Sequence, residues 1–300
     1  MLRRRLDGDR IFLQMIEGIA YVYRSSGYDY ALANDGAPAV PASDVPAAEG
    51  GPAIRPATAA DAEALAGIDK GLTAGPALFC PRDAGVWRYE ITGRRPEDIA
   101  RREVAVVTGG SGVRGYLVYR GGETPIVVAA AVADPADWPE TAAAMYAYLV
   151  ADGTARTVRP LLPPDHPLVR FGPAGVPRRP RGWYVRTGDA PGLLARLQPL
   201  LRARWEGLRR PGSALLIDLY GKSARLDFTG GVLTAVHEVP RGGRPDAAVP
   251  PGALLQLALG HRTLPEVLAT WPDCELRDRG TEQFLTAAFP RVPVHVWPRN

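Results

Sequence analysis

A chain of 300 residues with 46% hydrophobic side chains can bury one large core or two ordinary ones, since single domains run to about 100–200 residues. Two folded units are expected. The net charge of +4 rests almost wholly on arginine, and the basic clusters (Arg3 to Arg5; Arg178, Arg179 and Arg181) are short and broken by proline, which argues against nucleic acid as a partner because that would need a concentrated basic face.

The first element is LQMIEGIAYVYRSSGYDYALA, Leu13 to Ala33. A short apolar run leads through a tyrosine-rich turn, YVYRSSGY, into a second β-like run, and the whole reads as the closing segment of a domain. Residues 34–53 follow, with Pro38, Pro41, Pro46 and Pro52 among Ala, Gly, Asp and Ser, a mixture that fixes local turns more readily than a core. A linker is expected there. IRPATAADAEALAGIDKGL then predicts a strand and a capped helix, with Thr58 and Asp61 as the capping pair and Leu65, Ile68 and Leu72 on one face.

EVAVV (103–107) and GYLVY (115–119) are strand-like runs joined by TGGSGVR, which suits a hairpin with a glycine-containing loop. TPIVVAAAVAD supplies a third strand and PETAAAMYAYLVADG a helix after it. Residues 161–181 are proline-rich and irregular, and a boundary is expected near Trp183. Beyond it, Leu193, Leu194, Leu197, Leu200, Leu201, Trp205 and Leu208 recur at helical spacing, with Pro199 expected to kink or restart the helix. Successive strands from Ser213 to Val239, helices within PGALLQLALGHRTLPEVLATW and GTEQFLTAAF, and a last strand PVHVW complete the chain. Strands followed by helices argue an α+β architecture.

Few residues advertise chemistry. Cys80 and Cys274 form neither a CxxC pair nor a disulfide framework, which favours a reducing cytoplasm. Asp7, Asp9, Arg10 and Glu17 interrupt the start of the chain where a signal peptide needs an apolar run, and no window approaches the roughly 18 apolar residues of a membrane span. His166, His237, His261 and His295 are scattered without metal-ligand spacing, so no metal is expected. Asp165 and His166 are neighbours between prolines, a weak basis for an acid/base unit.

TPIVVAAAVAD with its following helix, the PPDHPL segment, the WYVR strand and AAFP near the end together resemble the GNAT superfamily of acetyltransferases. More narrowly they resemble the enhanced-intracellular-survival type, in which two GNAT lobes precede a sterol-carrier-protein-2-like (SCP2-like) domain. The resemblance implies a map: a remnant of the first lobe over 1–33, a linker over 34–53, a central GNAT-like lobe over 54–182 and the carrier-like domain over 183–300. Most of the first lobe is then missing. It also implies acetyl-CoA as cofactor, a small-molecule or peptide amine as acceptor, and a homo-oligomer as one expected state. Tyr28 falls where such enzymes keep a tyrosine that protonates the departing thiolate, and the carboxylate of Asn300 where a chain terminus serves as base.

The diphosphate loop of the family, Q/R-x-x-G-x-G/A, opens a helix because helix N-terminal amides favour an anion. Its one literal match, Arg209-Arg-Pro-Gly212-Ser-Ala214, follows a predicted helix and precedes a strand, the reverse of the required order. GGSG (109–112) leads into a strand as well. At the corresponding place in the central lobe stands DPADWPETA, whose aspartates would repel a diphosphate. Two alternatives therefore stay open: a non-catalytic scaffold, and a hydrophobic-ligand site lined by Leu254, Leu255, Leu257, Leu264, Val267, Leu268 and Trp271. The tyrosine stripe Tyr21, Tyr23, Tyr28 and Tyr30 also fits plain packing.

Overall fold

The computed structural model describes residues 12–17, 19, 21–47, 50–73, 78–80, 82–110, 112–179, 181–206 and 212–296. Strands and helices mix throughout, as an α+β chain requires. Two compact units emerge: residues 33–181 with 293–300, and residues 1–32 with 182–292. Among the described residues no helix is long and apolar enough to cross a membrane.

Along the chain come β1 (Gln14–Ile16), a 3-10 turn (Val22–Ser26), β2 (Asp29–Asp35), β3 (Val40–Pro41), β4 (Ala53–Pro56), α1 (Ala62–Thr73), β5 (Leu78–Phe79) and α2 (Ala84–Arg88). A π-helical turn at Tyr89–Gly93 precedes β6 (Glu103–Gly109), β7 (Gly112–Arg120), β8 (Ile126–Val132), α3 (Trp138–Val150), β9 (Thr157–Pro160) and α4 (Pro167–Arg170). Next are β10 (Arg181–Arg186), α5 (Ala190–Trp205), β11 (Ala214–Asp218), β12 (Ser223–Thr229), β13 (Val232–Val239) and β14 (Ala247–Ala248). The chain continues through α6 (Pro251–Ala258), α7 (Leu264–Thr270), β15 (Glu275–Leu276), α8 (Arg279–Ala288) and β16 (Val294–His295).

The unit holding 33–181 is built on a six-stranded sheet of order β3-β9-β8-β7-β6-β4. Side chains alternate across a strand, and here both faces are covered. Ala105, Val107, Leu117 and Tyr119 join Trp138, Met145 and Leu149 of α3 in one core. Val104, Val106, Tyr116 and Val118 meet Leu65 and Ile68 of α1 and Trp87 of α2 in the other. Burial on both faces is why EVAVV and GYLVY read as unbroken apolar runs. The β6–β7 hairpin closes between Gly109 and Gly112, with Gly112 at φ 112°, a backbone setting that glycine adopts without strain. β8 runs antiparallel to β7 and parallel to β9. β5 pairs with β16 in parallel.

Segment 34–53 is more than a connection. Val40 and Pro41 pair with Val158 and Thr157, and Ala37 and Val40 are buried, because a short edge strand gives the proline a place where a missing N–H is tolerated. Residues 161–181 likewise contribute the buried Leu162 and Leu168. Thr58 and Asp61 do form the capping box ahead of α1.

In the other unit, β10 is the middle strand of a three-stranded sheet, order β1-β10-β2, and a five-stranded sheet runs β13-β12-β11-β14-β15. β12 and β13 turn through Gly230 (φ 60°) and Gly231 (φ 82°), two consecutive left-handed residues of the kind that tight hairpins demand. α5 continues uninterrupted through Pro199. The proline is exposed, so the carbonyl that loses its helical partner can bond water. The helical stretch after Val249 divides into α6 and α7 around Gly260, whose φ of 64° ends a helix in the left-handed region.

Candidate functional site

Tyr28 is positioned by the turn that precedes it. Tyr21 and Gly27 flank the 3-10 turn with left-handed backbones, φ 71° and 80°, and the amide of Tyr28 donates to the carbonyl of Tyr23. Its hydroxyl donates to Gln14 Oε1 at 3.0 Å. The guanidinium carbon of Arg186 lies 5.6 Å from its ring centroid, and β1 and β10 set Gln14 opposite Arg186 in register. Gln14 and Arg186 thus reach Tyr28 from paired strands.

The neighbouring tyrosines make a packed stack. Tyr30 stacks on the buried Tyr184 at 4.1 Å between centroids, and Tyr23 meets Tyr28 edge to face and Tyr184 at a tilt of 55°. Gln256 Nε2 donates to the carbonyl of Tyr30 at 2.9 Å and its Oε1 accepts from Trp271 Nε1 at 3.1 Å. Tyr28 itself is only half-buried. A phenol held by one hydrogen bond, with a cation at its ring, can release its proton to a strong base and recover it from solvent. Asn300 lies outside the described residues, as do Arg209, Arg210 and Pro211 of the glycine motif.

The strand-to-helix junction of the six-stranded lobe is where an acyl-CoA diphosphate would need free amides. Asp134 already accepts from Ala136 N at 2.9 Å. Pro135 and Pro139 have no N–H to give, and Asp137 and Glu140 flank the same turn, both paired with Arg114 at 2.7 and 2.8 Å. The residues of this junction do not fit a diphosphate.

The same lobe holds a buried polar cluster that includes none of the residues singled out from the sequence. Asp69 of α1 receives Arg82 Nε at 2.8 Å and the Tyr116 hydroxyl at 2.9 Å. Arg82 Nη2 also donates to the Tyr116 oxygen at 2.8 Å, and its guanidinium carbon lies 4.2 Å from the Trp87 ring centroid. Burial drives the Tyr116 phenol above its ordinary pKa, so it remains protonated. A signal existed: Asp69 stands four residues after Leu65, on the face that a helix turns to the core.

The other candidates resolve into structural roles. His166 Nδ1 accepts from Leu168 N at 3.1 Å and caps α4. Among the described residues, no three His, Cys, Asp or Glu side chains gather as metal ligands. Leu254, Leu257, Leu264 and Val267 are buried in one core with Leu226 and Phe284, and Leu268 and Trp271 pack against it.

These sheets and helices define the class of fold: it is that of the GCN5-related N-acetyltransferases. A solved structure of such a protein from Kribbella flavida matches with a TM-score of 0.65 at 18% identity, over 98% of this chain and 72% of its own. A probable N-acyltransferase of unknown function from Enterococcus faecalis V583 matches with 0.66 at 15% identity, over 99% of this chain and 74% of that one. Eis1 from Mycobacterium abscessus matches with 0.59 at 16% identity, over 97% and 74%. No protein-family model and no curated protein matches the sequence.

Proposed function

We propose that this protein is an acetyltransferase of the enhanced-intracellular-survival type, which passes an acetyl group from acetyl-CoA to an amine, with Tyr28 as proton donor. The observation that carries the reading is the Tyr28 hydroxyl: it follows a left-handed glycine just ahead of β2, and its ring lies beside Arg186. Acetyl-CoA supplies the thioester carbonyl and a thiolate leaving group. Tyr28 carries a phenolic hydroxyl, a group able to donate a proton to a departing thiolate.

In this reading 1–33 contributes closing strands of a catalytic lobe, 54–182 is a structural GNAT-like lobe, and 183–300 is the carrier-like domain. The five-stranded sheet with its helices supports the last assignment. A cytoplasmic location and assembly with copies of itself belong to the same proposal.

A second reading has its own support. Asp134, Pro135 and Pro139 close the amide cradle of the six-stranded lobe, which favours a non-catalytic scaffold. The deciding experiment incubates the chain with radiolabelled acetyl-CoA and a panel of primary amines and follows label into the amine. Protein-dependent transfer supports the enzyme. No transfer, with no calorimetric heat on adding CoA to folded protein, supports the scaffold.

A further inference from the structure

Away from Tyr28, the six-stranded lobe carries a cleft of about 330 Å³ at the end of α3, bounded by Glu103, Tyr119, Tyr148 and Asp152 with the Gly121-Gly122 turn at its rim. Among the described residues lining it, Glu103 and Asp152 are carboxylates and none is a cation. We propose that this cleft binds the ammonium group of a small primary alkylamine, with Glu103 and Asp152 as counter-charges and the two tyrosine hydroxyls as hydrogen-bond acceptors.

Four features converge on a cation. The Tyr119 hydroxyl donates to the Tyr148 oxygen at 3.4 Å, and the rings meet edge to face at 6.1 Å and 89°. Burial raises the Tyr119 phenol above its ordinary pKa, with Tyr148 and then Glu103 adding to the shift. The Tyr119 phenol therefore lines the cleft as a neutral group, both phenol oxygens carry lone pairs, and the carboxylates are Glu103 and Asp152. Leu149 and Ala151, at the C-terminal end of α3, also line it, and that end of a helix carries partial negative charge.

The nearby cations are engaged elsewhere. Arg120 donates to the carbonyl of Ile99 at 2.9 Å, and Arg156 lies 3.4 Å from Glu123. Gly121 leaves room for the carboxylate of Glu103: a Cβ there would stand 2.8 Å from Glu103 Oε1. Gly122, at φ 106°, takes a backbone that side-chain-bearing residues rarely adopt. The turn thus lets Glu103 lie along the rim. An alkyl chain of a few carbons has Leu149 and Pro125 to rest on, in the manner of small pockets that pair apolar walls with few polar groups.

The proposal stands apart from the acetyl-transfer reading and its test does not use catalysis. Titration of the whole chain with 1-butylammonium chloride, followed by calorimetry and by saturation-transfer NMR, should give saturable binding that 1-butanol of the same shape does not give. Glu103→Gln should weaken it about tenfold or more, the value of a charge-assisted hydrogen bond. Asp152→Asn, on an exposed turn, should weaken it in the same direction with an unchanged melting transition. Butanol binding as tightly as butylammonium, no saturation with butylammonium, or equal affinity in wild type and both variants overturns it.

Discussion

Arg82 and Asp69 meet as a doubly bonded ion pair, Nε to Oδ2 at 2.8 Å and Nη2 to Oδ1 at 3.2 Å, with side-chain exposures of only 3% and 0%. Two charges removed from water are tolerated because each satisfies the other and Tyr116 bonds both. Removing one partner leaves the other buried and uncompensated. Arg82→Met should therefore lower stability in urea unfolding by about 3–5 kcal/mol. Tyr116→Phe, which removes one shared hydroxyl, should cost about 1–3 kcal/mol. The double variant Asp69→Leu with Arg82→Met should cost less than the sum of its single changes, since it leaves no stranded charge.

What was legible in the sequence was local. The Thr58–Asp61 cap, the runs EVAVV and GYLVY and the Gly230-Gly231 turn each carry their structure within a few residues. The pairings that complete the fold join distant segments: β3 with β9, and β1 with β10. A two-residue strand such as Val40–Pro41 has no periodicity to detect. For the candidate site the same division holds. Gly27 announces the turn before Tyr28, whereas Gln14 and Arg186 reach it only through strand register.

Gly260 is required twice over. Its φ is 64°, and a Cβ placed on it would stand 2.3 Å from Val292 Cγ2 and 2.8 Å from the Val292 amide nitrogen. The left-handed backbone costs an L side chain about 1–2 kcal/mol, and overpacking costs about 1–3 kcal/mol more. Gly260→Ala should lower the melting temperature measurably in a thermal scan. The control Gly242→Ala, with nothing within 4 Å of an added Cβ, should leave it nearly unchanged.

His261 gives the unit of 182–292 a pH dependence of known sign. Burial holds its imidazole pKa down to about 4, aided by the charges of Arg262 and Arg291 and opposed by Glu266. Unfolded, the ring titrates near its ordinary value, about 6.5. Between these two values the unfolded chain binds more protons than the folded one, so stability rises with pH across that window. Above about pH 6.5 the ring is neutral in both states and contributes no slope. His261→Asn should flatten the rise when denaturation midpoints are measured from pH 4 to 7.

Tyr28, just ahead of β2, admits a test that separates chemistry from packing. Tyr28→Phe retains the ring, and with it the edge contact to Tyr23 at 6.0 Å and the approach of Arg186 at 5.6 Å. It deletes only the hydroxyl that donates to Gln14. One half-exposed hydrogen bond contributes about 0.5–1.5 kcal/mol, so the melting transition should barely move. If Tyr28 protonates the departing thiolate, acetyl transfer should nevertheless fall by about 10² to 10⁴, the usual contribution of a general acid. The loss should appear in kcat, because the proton is needed in the transition state and not for binding. Gln14→Ala should preserve most of the rate, since it removes a partner of the hydroxyl but leaves the proton. Equal turnover in wild type and Tyr28→Phe, with both proteins folded, would assign the whole tyrosine stack to packing against Tyr184.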